Sequence, residues 1–100
     1  MRKDAHGNAT LAIERAQELA MDALLFILHD DQRVARFLDT SGMSPTDLRT
    51  HAREDATLAA VLEYLLGNES LLLIFCAHSR HQPEAVGPAL AALERRGGGA

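Results

Sequence analysis

Apolar residues recur at helical spacing along nearly the whole chain, broken at intervals by short polar runs. Ile13, Ala16, Ala20, Leu24 and Ile27 form one stripe, widened by Leu19, Ala23 and Phe26, while Glu14, Arg15, Glu18 and Asp22 lie opposite. That spacing predicts a long amphipathic helix over about 9–29, capped by Asn8 or Thr10 and preceded by a flexible, charged arm over 1–7. Asp30-Asp31 ends the pattern and caps a second helix, 32–40, with Val34, Phe37 and Leu38 inward. Ser41-Gly42 closes it, glycine supplying a left-handed residue. Ser44-Pro45-Thr46-Asp47 starts a short third helix, 45–52, anchored by Leu48: Ser caps, Pro takes the first helical position and Asp47 the third.

Glu54-Asp55 opens a fourth helix with Leu58, Val61, Leu62, Leu65 and Leu66 on its apolar face, ended by Gly67. Asn68 caps a fifth. Its run Leu71 to Ala77 is apolar on every side, which predicts a central helix. After a loop at 78–82, Pro83 begins a sixth helix with Val86, Leu90 and Leu93 inward. Pro88 removes one of its hydrogen bonds unless the helix begins nearer Gly87. The reading is one helical core over 8–95 with a flexible tail at 96–100.

The punctuation also repeats, with a period of 38 residues. Ala23 to Leu48 can be laid on Val61 to Val86, so that Leu24 meets Leu62, Phe26 meets Tyr64, Phe37 meets Phe75, Ser41 meets Ser79 and Pro45 meets Pro83. Identities are few, but the order of features is the same: apolar helix, polar break, apolar helix, short loop, proline at a helix start. Two units are too few for a solenoid. They fit an all-α bundle of five to six helices with two similar halves.

Composition adds limits rather than a function. One hundred residues make a single domain, 47% apolar and dominated by Leu and Ala, with few β-branched residues to favour strands. The net charge of −4 argues against a dedicated nucleic-acid binder. Cys76 is the single cysteine, so no disulfide forms within the chain, and its apolar neighbours predict a buried, inert thiol. The polar start MRKDAHGN and the short apolar runs predict a cytoplasmic protein with no membrane span.

The segment Leu62-Glu63-Tyr64-Leu65-Leu66-Gly67-Asn68-Glu69-Ser70 through Leu71-Leu72-Leu73-Ile74-Phe75-Cys76 resembles a small alphaproteobacterial family catalogued as a domain of unknown function, number 3572. So do Arg36-Phe37-Leu38, the run Gly42-x-x-Pro45-x-Asp47-Leu48-Arg49, and Pro83-Glu84-Ala85-Val86. The resemblance covers about Ala16 to Leu93 and implies an all-helical domain; it brings no catalytic residue. One departure is the second turn, Ser79-Arg80-His81-Gln82, where a glycine-containing turn like Ser41-Gly42-Met43-Ser44 is expected.

Three groups of residues invite a chemical reading. Cys76, His78 and His81 are zinc-ligand types, but structural zinc sites draw on two separated pairs and no second pair exists here, so they read as a core thiol and solvated loop histidines. His29-Asp30-Asp31 has acid–base residues, yet the matching Asn68-Glu69 occupies the same place between helices, and capping explains both. The segment 34–52 can be laid on a helix-turn-helix with Arg33, Arg36, Arg49 and Arg53 toward phosphates. Against that, Asp47 stands at the start of the would-be recognition helix. No catalytic motif, cofactor motif or metal site emerges. The expectation is a non-enzymatic helical interaction or regulatory domain whose partner is another protein, with a DNA-binding regulator using 34–52 as the alternative.

Overall fold

The fold is given by a computed structural model that describes residues 2–98, with side chains over 11–96. Six helices follow one another: α1 (Arg2–Leu28), α2 (Asp31–Ser41), α3 (Pro45–His51), α4 (Asp55–Leu66), α5 (Glu69–His78) and α6 (Pro83–Gly98). No strand occurs among the described residues, so the protein is all-α as its periodicity requires.

The central layer is α1, α4 and α6, which make the most extensive contacts with one another. Ala16, Ala20 and Ala23 of α1 and Ala89 and Ala92 of α6 are buried beside Leu24, Ile27, Leu62, Leu65, Val86 and Leu93. Small residues at these positions let helix axes approach closely while the leucines fill the space between. The α2 helix packs on α1 and α4, and α5 on α4 and α6. Phe37 and Phe75 are the largest fully buried side chains of these two outer helices, at 0% and 1% exposure.

The polar breaks act as the pattern predicts. Asp30 accepts the Gln32 amide and Asn68 accepts the Leu71 amide. Ser44 and Asp47 close a reciprocal capping box, each side chain accepting the other's backbone N–H at 3.0 and 3.2 Å. Gly42 ends α2 with φ 78°, and its N–H returns to Leu38 O. Residues 38 apart also mark matching boundaries: Leu28 and Leu66 end helices, Asp31 and Glu69 start them, and so do Pro45 and Pro83.

Five expectations are corrected. First, α5 is peripheral. Leu71, Leu72 and Phe75 turn inward, but Leu73 and Ile74 are 50% and 41% exposed, because α1, α4 and α6 already fill the middle. Second, α1 begins at Arg2, over the stretch read as an arm; that stretch lacks proline, and propagation from a packed helix costs less than a new nucleus. Third, α6 runs from Pro83 straight through Pro88 to Gly98, across most of the expected tail; Gly99 and Ala100, like Met1, lie outside the described residues. Fourth, the second turn needs no glycine: Ser79 ends α5 in an extended conformation, φ −126° and ψ −176°, and its Oγ accepts the His81 N–H. Fifth, Cys76 is half-buried rather than enclosed.

Candidate functional site

A cleft of about 670 Å³ lies where the C-terminal end of α1 meets α5 and the turn into α6. Helical periodicity places Phe26 of α1 and Phe75 of α5 toward each other, ring centroids 5.5 Å apart. Around this pair stand His29, Arg33, His78, Arg80 and His81, with Glu18 and Asp22 further along α1.

The basic groups are not all held alike. The Arg33 guanidinium lies over the Phe26 ring at 4.0 Å, one N–H donates to Phe26 O at 3.3 Å, and Nε sits 3.9 Å from Asp30. His29 and His78 both stand at helix ends with Nδ1 against the carbonyl four residues back: Leu25 O at 2.6 Å and Ile74 O at 2.9 Å. A carbonyl only accepts, so Nδ1 carries the proton and each ring presents its Nε2 edge elsewhere. His81 is not the solvated loop histidine its sequence neighbourhood predicts. Its ring stacks on Phe75 at 5.8 Å and its Nε2 meets Asp22 Oδ2 at 2.8 Å, 59 residues away in sequence. Arg80 is exposed and makes no ion pair among the described residues.

Two apparent catalytic constellations are not assembled. Ser79, His81 and Asp22 are the residue types of a hydrolytic triad, but the Ser79 hydroxyl accepts the His81 main-chain N–H, and no hydrogen bond among the described residues joins it to the His81 ring. Cys76 does not line the cleft, and burial, followed by the nearby Glu84 charge, pushes its thiol up, away from the thiolate that nucleophiles and metal ligands need. His78 turns to the cleft and His81 to Asp22, so the Cys76, His78, His81 trio does not converge. Among the described residues, no group of three or more metal-ligating side chains converges.

The four arginines of the helix-turn-helix reading are divided. Arg33 belongs to the cleft just described, Arg36 lines a separate one of about 330 Å³ with Asp39 and Tyr64, and Arg49 and Arg53 are exposed around the short α3. Asp47 is locked in its capping box at the N-terminus of α3. Asp30 is a helix cap and Asp31 the first residue of α2, as capping predicts.

Sequence reasoning missed the cleft because its members come from two distant segments, 18–33 and 75–81. A signal existed: the 38-residue register sets His29 against Gly67 and His81 against Met43, marking positions where the two segments differ in chemistry.

Fold and cleft together define a class, an all-α domain with an aromatic, histidine-lined cleft and no assembled catalytic group among the described residues. The family profile described as "Protein of unknown function (DUF3572)" matches residues 13–96, and the chain belongs to that family. No curated protein and no solved structure matches it.

Proposed function

We propose that the protein is a small non-enzymatic binding domain that docks another protein through the outer face of α5 and the cleft at its end. The observation that carries this reading is the exposure of Leu73 and Ile74, about half their surface, on a helix with no charged residue between Glu69 and His78. Leu25, 49% exposed, adds an apolar side chain to the cleft lining. Exposed apolar side chains on such a helix suit the apolar side of an amphipathic partner helix. The absence of a positioned nucleophile beside His81, among the described residues, supports binding over catalysis. No single helix among the described residues is long and apolar enough to cross a membrane; a cytoplasmic location fits the unpaired thiol of Cys76.

The test is capture by tagged protein from its native host, beside a Leu73→Asp/Ile74→Asp variant shown to be folded by circular dichroism. A defined protein retained by the wild type and lost by the variant is the expected result. Identical captures by both, or turnover of a substrate, would sink the reading. DNA binding through 34–52 is the weaker reading, since Arg33 and Arg36 line separate clefts and an acidic cap fronts α3.

A further inference from the structure

We infer that the cleft takes an aromatic anion: a planar apolar body bearing one carboxylate, phosphate or sulfonate group. This rests on the cleft being part of the working surface.

The chain contains its own comparison. Phe26 touches Phe75 at 5.5 Å, and the residues matching them 38 positions away, Tyr64 and Phe37, touch at 5.6 Å. Gln17 donates to Asp55, its own counterpart 38 residues on. The corner corresponding to the cleft is therefore the one lined by Thr40, Ser41, Ala60, Glu63 and Tyr64. It keeps the ring pair and the helix ends. Where the cleft has His29, Arg33, His78, Arg80 and His81, the matching positions hold Gly67, Leu71, Thr40, Gly42 and Met43. None of those five matching positions holds an imidazole or guanidinium, although Arg36 lines the adjoining cleft, so the ring pair is built there without those five groups. Each has local partners except Arg80, yet their gathering at one corner of a chain with net charge −4 gives that corner a basic, aromatic lining suited to an anion.

The groups define its chemistry. The Phe26 ring, with Arg33 lying on it and His78 tilted against it at 6.4 Å, offers flat surfaces to a planar body. Arg33 uses one donor on Phe26 O and its Nε faces Asp30 at 3.9 Å, leaving others of its five, and Arg80 is unpaired among the described residues. Protonated His29 or His78 can donate from Nε2. Of the two carboxylates lining the cleft, Asp22 is engaged by His81 and Glu18 stands about 16 Å from His29 along α1; a third, Asp30, lies outside the lining, 3.9 Å from Arg33 Nε. The anionic group thus belongs at the Arg33–His29 end. The volume of about 670 Å³ suits a small organic ligand.

The experiment is proton NMR of the full chain, following the imidazole signals assigned by single His→Gln variants. The probes are phenylacetate, phenyl phosphate and 1-naphthalenesulfonate; phenylacetamide and acetate are the controls. Saturable shifts of His29, His78 and His81, but not of His51, are expected with at least one anion. Losing the charge or the ring from the probe should weaken binding about tenfold or more, as should Arg33→Gln/Arg80→Gln. Arg80→Gln alone, on an exposed turn, should weaken it severalfold without touching the fold, and Arg36→Gln should change nothing. No saturable shift with any of the three anions, equal affinity for phenylacetamide, or full binding by the double variant would each overturn the inference. Such failure leaves partner capture and its loss in the α5 variant standing, so the two readings are separable.

Discussion

Phe75 shows how much can hang on one side chain. It is 1% exposed, packs on Phe26 and carries the stacked His81 ring. Truncation removes core volume and the support of the cleft together. Phe75→Ala is expected to cost about 3–5 kcal/mol, measured by urea unfolding, a large part of the ~5–15 kcal/mol a domain of this size has. His51 offers a subtler test. Its pKa is raised above 6.5 by the hydrogen bond to Glu54, 2.6 Å from Nδ1, then by Glu54's charge and, less, by Asp47's, with burial opposing. A raised folded pKa means a stabilising contribution that is complete below pH 6.5 and lost as pH climbs through the raised value. The pair lies in solvent, so the effect on unfolding is slight, and the signature belongs in the NMR titration: a His51 midpoint above 6.5 that falls back toward it in Glu54→Gln.

At the scale of the element, the helix starts are the best-determined features and the proline in α6 the most costly. Ser44 and Asp47 cap α3 reciprocally, and α3 has little else to hold it: Leu48 is its single buried residue. Ser44→Ala is expected to lower stability by about 1 kcal/mol and to raise amide exchange across 45–51. Pro88 lies inside α6, where it leaves Glu84 O without the usual donor. The helix persists because Val86, Ala89, Ala92 and Leu93 are buried against α1 and α4. Pro88→Ala is expected to stabilise by up to ~3 kcal/mol in the same unfolding measurement; destabilisation would mean that the ring itself is a needed contact.

For the whole molecule, charge and surface decide what can approach. The net charge of −4, the capped Asp47 and the division of Arg33 from Arg36 between two clefts leave no continuous basic face along 34–52. Duplex DNA is expected to bind no more tightly than the non-specific range of ~10⁻⁴–10⁻⁶ M at physiological salt. Fluorescence titration of labelled genomic fragments at two salt concentrations checks this. Sub-micromolar, sequence-dependent binding lost on Arg49→Ala/Arg53→Ala would reverse the ranking and make α2–α3 the working surface.

What the sequence by itself determined is whatever local interactions set. Helix periodicity, the caps at Asp30, Ser44 and Asn68, and the left-handed Gly42 follow from contacts within a few residues, so they were legible without a fold. Phe37, Leu62 and Leu93 were legible as core for the same reason: an amphipathic stripe shows which side is buried. Only the tertiary structure decided against what those faces pack. The uniformly apolar α5 has no stripe to orient it, so its place at the edge, with Leu73 and Ile74 outward, depended on α1, α4 and α6 occupying the centre. The cleft was hidden for the same reason. His81 reads as a loop residue until folding carries it 59 positions back to Asp22, and His29 reads as part of a cap until α5 brings Phe75 and His78 beside it.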